Sequence, residues 1–527
     1  MAFSSVLRGL HINDGQEGSP SELLPQIQHL LDGARDSFSR LRVLRDIRML
    51  FDSADVGWFL SECDTAGSPT VDALYRDFLC ALTGLAALPP CETDSGDLPA
   101  SAYAHLPDVA REVCDVLRVL VSRLATGVED KPNRGTAVVR VLAAPLCMFA
   151  ATHKQDQPWS TEESRKAAAQ LLDAVVRATG SPSLTQFLCG TPTGDPPGAL
   201  WAMLDILRPQ MTKKNWKRNQ ATKFVFAWIL TQVGRPWLAD HLDRVFPASL
   251  CISDDYRPEN KVLGVRCLHH IVLNVPAADL RQYNRAQVLY HALFSHLYTP
   301  EAQLIEVVLP CLLDLLSVLE KPCGSTQAPR RTNRYDQVLR LVLTHMEMEY
   351  KLALRRVYAK HLAVFAHRMG VVMIRHLKRL ERVIVSYLEV SDSPGEQSRL
   401  SILDALELIL QNTWPRVECR LEVLVRALLK LMCDVSTVPG QCPPAVKEEL
   451  LCKATRCLQL LDHCSGGRLR VLLEDVDSSC APPDVIQCLQ RVRDSSFCPT
   501  VDTKEGCAQT ATPETSFMPY KAQESLE

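Results

Sequence analysis

The 527-residue chain lacks the sequence motifs of the common enzyme classes. It contains neither GxxxxGK(S/T) nor GxGxxG, the glycine-rich loops that cradle phosphates, and it has no GxSxG, HExxH or kinase signature. No Cys-x-x-Cys pair occurs among its 20 cysteines, and residues 1–14 lack the apolar core of a signal peptide. We therefore expect a protein that is not an enzyme, that needs no cofactor and that keeps its cysteines reduced and mostly buried.

Aromatic residues, net charge and long apolar runs are also scarce. Aromatics make up 6% of the chain against 46% for all apolar residues, so aliphatic side chains must form most of the core. A formal net charge of −3 gives no general attraction to nucleic acid. The longest apolar run, residues 141–151, contains Pro145 and is too short to cross a bilayer. These properties predict a soluble intracellular protein with neither nucleic acid nor a membrane as a direct partner.

Helical patterns fill most of the chain. Apolar residues recur at helical spacing, and no stretch of useful length alternates as a β-strand does. Helix pairs recur about every 35–50 residues, the range of HEAT and armadillo repeats. A chain of 527 residues is also too long for one hydrophobic core. The sequence therefore predicts an all-α fold, an irregular HEAT/armadillo-like α-solenoid of antiparallel helix pairs.

Composition divides the chain into three predicted regions. Residues 1–105 form a divergent N-terminal helical segment that ends in a linker rich in proline and acidic residues. Residues 106–493 form the α-solenoid. Residues 494–527 are rich in Ser, Thr, Gln, Glu and Pro and are predicted to be a disordered tail.

Acids and prolines mark the expected helix boundaries. Asp254 and Asp255 precede Pro258, and we interpret them as caps of a helix that begins near residue 256. Other prolines predict the ends, kinks and starts of helices: Pro247 closes one helix, Pro310 kinks or breaks another, and Trp414-Pro415 opens a third.

Two groups of residues raise the possibility of a metal ion. Asp254 and Asp255 could supply carboxylates. The possible imidazole ligands are His269, His270, His291 and His296. Adjacent histidines point to different helix faces, and no Cys or acid completes a ligand set at suitable spacing. We therefore interpret the aspartates as caps and the histidines as packing or surface residues, and we predict no metal site.

The clearest electrostatic feature is a basic stretch. Between Arg330 and Arg382 the chain has 13 Lys or Arg residues and 4 acids. Arg375, Lys378, Arg379 and Arg382, here called the basic quartet, lie at spacings that suit one side of a helix. The quartet is a candidate docking surface for an acidic segment of a partner. The alternatives are a solvated helix face, or a site for nucleic acid or inositol phosphate, for which the aromatic residues are poorly interleaved.

Several long stretches carry a family resemblance. They are residues 235–238 (RPWL), 247–250 (PASL), 252–256 (ISDDY), 267–274 (CLHHIVLN), 283–291 (YNRAQVLYH), 375–382 (RHLKRLER) and 413–417 (TWPRV). These stretches closely resemble the Tel-two-interacting protein two family. The likeness is strongest over residues 236–435.

The resemblance implies a non-enzymatic, HEAT-like subunit of the TTT (Triple T) cochaperone complex. Its partners would be the other two subunits, Tel-two and Tel-two-interacting protein one. The complex is linked to the ninety-kilodalton heat-shock chaperone and the RuvB-like ATPases. It supports maturation and stability of the phosphatidylinositol-3-kinase-related kinases, and hence DNA-damage and growth signalling, in cytoplasm and nucleus. The family supplies no catalytic residues.

A different class of function is compatible with the helical pattern. A helical-repeat adaptor, such as a transport-type carrier, binds charged peptides in the groove of a solenoid. Such an adaptor would have a regular ladder of Trp and Asn along one face. Several Trp residues of this chain lie at predicted helix starts instead, which disfavours this alternative.

Overall fold

A computed structural model of the protein describes residues 19–34, 36–61, 70–92, 98–126, 134–190, 198–213, 215–320, 332–437, 442–474 and 482–494. The regular elements in those ranges are helices, which confirms the predicted all-α class. The chain divides into two compact units, Met1–Val383 and Ile384–Glu527. The region boundaries proposed near residues 105 and 494 stay predictions, and the predicted tail beyond residue 494 lies outside the described residues.

The α-helices are numbered in chain order. The first unit contains α1 (Pro20–Gly33), α2 (Ser37–Ser53), α3 (Val71–Leu85), α4 (Leu106–Ala125), α5 (Arg134–Lys154), α6 (Glu162–Ala178), α7 (Leu184–Cys189), α8 (Leu200–Leu207), α9 (Gln220–Thr231), α10 (Leu242–Ser253), α11 (Pro258–Asn274), α12 (Ala277–Arg281), α13 (Arg285–His296), α14 (Ala302–Leu319), α15 (Arg334–Met348) and α16 (Leu352–Met369). Helix α17 (Leu377–Glu389) spans the boundary. The second unit contains α18 (Gln397–Val417), α19 (Leu421–Thr437), α20 (Pro444–Cys464), α21 (Arg468–Glu474) and α22 (Pro483–Asp494). Short 3-10 helices are Val56–Leu60, Ala100–Tyr103, Trp237–His241, Gln282–Asn284, Gly370–His376 and Glu418–Arg420.

In the first unit, helices stack into a row. Helix α5 contacts α9, α9 contacts α11, α11 contacts α14, and α14 contacts α16. The intervening helices pack on this row, α10 against α11, α13 against α14 and α15 against α16. Two consecutive helices that pack together across a short connection run in opposite directions. This is the arrangement of an α-solenoid, so the predicted fold class is confirmed.

Aliphatic side chains fill the stack, as the composition requires. Helix α14 contacts both α11 and α16 and buries residues on more than one face, among them Leu304, Leu309 and Leu313. Burying a Leu or Val side chain stabilises a fold by about 1.5–3 kcal/mol relative to leaving it in water. The apolar sequence of α14 is therefore explained by its position between two neighbours.

In the second unit, α20 lies at the centre. It contacts α18, α19, α21 and α22. Leu450, Ala454, Leu458 and Leu461 form a fully buried stripe at intervals of four, four and three residues. That spacing keeps the four side chains on one face of the helix.

The three prolines that were expected to close, kink or open a helix lie inside helices. Pro247 lies within α10, Pro310 within α14 and Pro415 within α18. The predictions that Pro247 closes a helix and that Trp414-Pro415 opens one were therefore wrong, and α14 continues through Pro310 without a break. An interior proline costs about 3 kcal/mol. The residues beside Pro247 and Pro310 are buried, Phe246 and Ala248 in α10 and Leu309 and Cys311 in α14, and this packing outweighs the lost hydrogen bond. Pro415 lies in the last turn of α18, beside the exposed Trp414.

Two of the helices, α5 and α14, are long and apolar enough to cross a membrane by length and composition alone. The sequence predicted that no apolar run is long enough to cross a bilayer. These two helices are longer than the runs, because each helix continues through its proline. Of the most apolar part of each helix, 61% in α5 and 50% in α14 is buried inside the protein. The core helix of a water-soluble fold meets the same test of length and composition.

Candidate partner-binding surface

The basic quartet lies where a 3-10 helix meets α17. Arg375 belongs to the 3-10 helix Gly370–His376, whereas Lys378, Arg379 and Arg382 belong to the first part of α17. The expectation that a single α-helix carries all four residues was therefore wrong. A 3-10 helix has about 3.0 residues per turn against 3.6 in an α-helix, so Arg375 does not keep the α-helical spacing to the other three.

Arg375 is tied to a buried acid. Its Nη1 lies 3.4 Å from Oδ2 of Asp336, and Nε2 of His376 lies 2.7 Å from Oδ1 of the same carboxylate. Asp336 is 0% exposed, and its Oδ2 also accepts the backbone N–H of Asn333 at 3.0 Å in a capping box at the start of α15. Arg375 thus helps to hold the 3-10 helix on α15.

Arg379 is held along the outer face of α15. Its Nε donates to Oε1 of Glu347 at 3.0 Å and its Nη2 to Oε2 at 2.7 Å, a two-point contact. It also donates to the hydroxyl of Thr344 at 3.0 Å and to the carbonyl oxygen of Arg340 at 3.3 Å. The hydrogen bond with Arg379 lowers the pKa of Glu347, and the hydrogen bond with Glu347 raises the pKa of Arg379. A large part of the charge of Arg379 is therefore neutralised within the chain.

The other two members of the quartet remain exposed. Lys378 and Arg382 form no ion pair with any residue that the structure describes. Folding adds Arg340, an exposed residue of α15 whose carbonyl oxygen is bound by Arg379. Sequence analysis missed Arg340 as a member of this surface. Its spacing to Thr344 and Glu347 marks one face of α15, but only the folded chain places that face beside α17.

Asp254 and Asp255 do not cap α11. The residue at the cap position is Arg257, without a side-chain capping bond, and Asp254 follows the end of α10 instead. Asp255 is buried, with Oδ1 2.6 Å from Nζ of Lys217 and Oδ2 2.5 Å from Nδ2 of Asn260. The prediction that these aspartates are caps was wrong, because the carboxylate of Asp255 binds Lys217, in the segment before α9, and Asn260, inside α11.

The ion pair of Asp255 fixes one wall of a pocket of about 440 Å³. Burial by itself raises the pKa of Asp255, but hydrogen bonds from Asn260 and Lys217 outweigh it, and the pKa is lowered. Nζ of Lys217 also lies 4.7 Å from the ring centroid of Tyr256 and 5.5 Å from that of Trp216. A carboxylate already paired with an ammonium group is a poor metal ligand.

The four histidines lie in different surroundings. His269 binds the carboxylate of Asp314 at 2.9 Å, and His270 binds the carbonyl oxygen of Val233 at 2.8 Å. His291 binds the side chain of Gln287, and His296 is buried. In the described ranges, no group of three or more His, Cys, Asp or Glu residues is arranged to hold a metal ion.

Fold and surface together define an all-α helical-repeat protein whose candidate functional site is a charged surface. The sequence profile of the Tti2 family matches residues 204–393. TELO2-interacting protein 2 of Mus musculus is 43% identical over 502 residues, which are 93% of this chain and 96% of that protein. TELO2-interacting protein 2 of Homo sapiens is 54% identical over 356 residues, 67% of this chain and 70% of that protein. The chain belongs to the Tti2 family.

Solved structures resemble the chain at low sequence identity. The crystal structure of Kap121p has a TM-score of 0.44 and 13% identity, covering 94% of this chain and 47% of that protein. A crystal structure of importin beta has a TM-score of 0.46 and 14% identity, covering 86% of this chain and 54% of that protein.

Proposed function

We propose that this chain is a non-enzymatic scaffold subunit of the TTT complex and that it binds a TELO2-type protein. The observation that carries the proposal is the match to TELO2-interacting protein 2 over nearly the whole of both chains. Its second partner would be the Tel-two-interacting protein one subunit. The chain acts as a cochaperone in the cytoplasm and nucleus, without direct contact to nucleic acid or a membrane.

The stacked helices support a role in binding. Each pair of helices exposes a ridge beside the next, so a partner can be bound over many residues without an enclosed pocket. We expect residues 264–435 to carry the main partner interface and the basic quartet to lie in or beside it. A large interface of this kind makes the stability of the subunit depend on the concentration of its partners.

The cellular role would be support of chaperone-dependent maturation of the phosphatidylinositol-3-kinase-related kinases, with the ninety-kilodalton chaperone and the RuvB-like ATPases as indirect partners. Rapid depletion of the chain should then lower the abundance of newly made kinases while leaving their transcripts unchanged. Pulse labelling of the kinases after depletion measures this. Unchanged kinase lifetimes after complete depletion would contradict the maturation role.

Affinity capture of the full chain from cells, followed by quantitative mass spectrometry, tests the complex itself. We expect the TELO2-type protein and the Tel-two-interacting protein one subunit in constant ratio to the captured chain. Capture of nuclear transport cargo in place of these two subunits would favour the transport-type adaptor. The positions of the tryptophans disfavour that alternative, since a ladder needs exposed tryptophans and Trp159 and Trp216 are buried.

A further inference from the structure

A row of exposed positive charge crosses α15 and the first part of α17. Arg340 of α15 and Lys378 and Arg382 of α17, here called the basic ridge, are exposed and form no ion pair with any described residue. Arg379 lies between these residues and links α17 to α15. It donates to the carbonyl oxygen of Arg340 at 3.3 Å and to the carboxylate of Glu347. The positive charge of Arg382 also helps to lower the pKa of Glu347. The face of α17 that carries Arg382 therefore lies near Glu347 of α15.

The acids of the same region do not neutralise the ridge. Asp336 is buried and is bound by His376 and Arg375, and Glu347 is bound by Arg379. Glu349 accepts the backbone N–H groups of Tyr350 and Lys351, and Glu381 is partly buried and engaged. Glu349 keeps its negative charge, so the three cations of the ridge leave this surface with a net positive charge.

Apolar side chains continue the surface at the end of α15. Met348 is 78% exposed, Tyr350 is 82% exposed and Leu352 is 41% exposed. We call these three residues the apolar step. Oε1 of Glu349 holds the turn between them by accepting the N–H of Tyr350 at 3.0 Å and that of Lys351 at 2.8 Å. Neighbouring large apolar side chains in water mark a surface that a partner covers, and Tyr is among the residues that carry most binding energy.

We propose that the basic ridge and the apolar step together bind an acidic segment of a partner protein that carries a bulky apolar side chain at one end. Carboxylates of the segment pair with Arg340, Lys378 and Arg382, and the apolar side chain packs on Met348 and Tyr350. The inference rests on the proposed function, because the partner is taken to be a subunit of the same complex. It reassigns the basic quartet, because Arg375 and Arg379 act inside the fold and only Lys378 and Arg382 face the partner.

Charge complementarity selects a protein segment over a nucleic acid. A nucleic-acid surface uses a longer run of phosphate contacts with aromatic rings between them. This surface offers three unpaired cations followed by a separate apolar end, and the whole chain has a net charge of −3. A short run of carboxylates followed by one large apolar side chain fits that order.

The test compares two triple charge reversals in the full chain, co-produced with the TELO2-type and Tel-two-interacting protein one subunits. The ridge variant is R340E/K378E/R382E. The control variant, R42E/R76E/K166E, makes the same change in net charge at three exposed basic residues outside residues 264–435. We expect recovery of at least one partner to fall about tenfold or more in the ridge variant, because like charges across an interface oppose association. The control should stay within about twofold of the natural chain.

Two further variants complete the design. M348S/Y350S removes the apolar step without changing charge and should also lower recovery of the same partner. R340Q/K378Q/R382Q replaces the ridge variant if the reversals reduce folding, which circular dichroism and urea unfolding measure.

Cross-linking then locates the partner's acidic segment, and changing its acids to lysine should restore binding to the ridge variant.

The outcomes separate this inference from the proposed function. If the natural chain recovers neither subunit, the proposed function fails. If the natural chain and both triple variants recover the subunits equally, the complex stands and the ridge inference is wrong. If a single-stranded RNA or inositol hexakisphosphate binds the natural chain but not the ridge variant, while partner recovery is unchanged, the surface takes a polyanion and the inference is overturned.

Discussion

Nε2 of His376 lies 2.7 Å from Oδ1 of Asp336, although the two residues are 40 positions apart in the chain. Both side chains are buried, and the same carboxylate accepts the backbone N–H of Asn333 at 3.0 Å. Asp336 thus caps the start of α15 and also binds the 3-10 helix that leads into α17. The exposed surface formed by these two helices depends on it.

Replacing Asp336 with alanine should destabilise the first unit strongly. The change leaves the buried imidazole of His376 and the half-buried N–H of Asn333 without their acceptor, and each buried donor that loses its partner costs about 1–3 kcal/mol. Urea unfolding followed by circular dichroism measures the loss. Asp77, exposed on α3, provides the control, and D77A should change stability by less than about 0.5 kcal/mol. Equal effects of D336A and D77A would contradict the assigned role.

The fold class could be predicted because helical periodicity is a local signal. The side chains of the partner surface could not be assigned, because their partners are distant in sequence. Glu347, which neutralises Arg379, lies 32 residues away, and Asp336 lies 39 residues from Arg375. Asp255 was misassigned for the same reason, since nothing near it in the sequence points to Lys217. The local rules on proline failed in α10, where buried neighbours on both sides of Pro247 override the local preference, and in α18, where Pro415 lies in the last turn of the helix and does not open one.

Gly264 sets the closest approach between α10 and α11. A Cβ atom at this position would lie 2.3 Å from the backbone nitrogen of Ser253 and 2.5 Å from its Cα. G264A should therefore force the two helices apart and lower the free energy of unfolding by about 1–3 kcal/mol or more.

Gly84 is the matched control, because a Cβ there would meet nothing within 4 Å. G84A removes a flexible residue from α3 and should stabilise the protein by about 0.5–1 kcal/mol. Urea unfolding of both variants provides the comparison. Stabilisation by G264A would mean that α10 and α11 are not packed as closely as the structure has them.

The ion pair of Lys217 and Asp255 should couple the segment before α9 to the start of α11. Asp255 is buried, whereas the side chain of Lys217 is 24% exposed, so the pair is only partly shielded from water. We expect D255A to cost about 2–3 kcal/mol, below the upper end for a fully buried pair, because the Lys217 ammonium can regain water. In a double-mutant cycle with K217M, the coupling energy should be about 1 kcal/mol. Strictly additive effects would show that the two side chains do not stabilise each other.

His153 should make the protein less stable in mild acid. The side chain is fully buried at the end of α5, 4.7 Å from the ring of Phe149, and burial lowers the pKa of His153 to about 4. The unfolded chain has an ordinary histidine pKa of about 6.5. Between those two values the unfolded state binds a proton that the folded state does not, so this contribution to stability is present above pH 6.5 and is lost as the pH falls toward 4.

The variant H153L removes this titration and should lose less stability than the natural chain on acidification. From pH 7 to pH 5 the difference between the two proteins should amount to about 2 kcal/mol, because one proton is worth about 1.4 kcal/mol per pH unit once the unfolded histidine is charged. Urea unfolding at a series of pH values measures it. H29L, at an exposed histidine of α1, is the control and should follow the natural chain. A natural chain and H153L with the same pH dependence would mean that His153 is protonated in the folded state as readily as in the unfolded state.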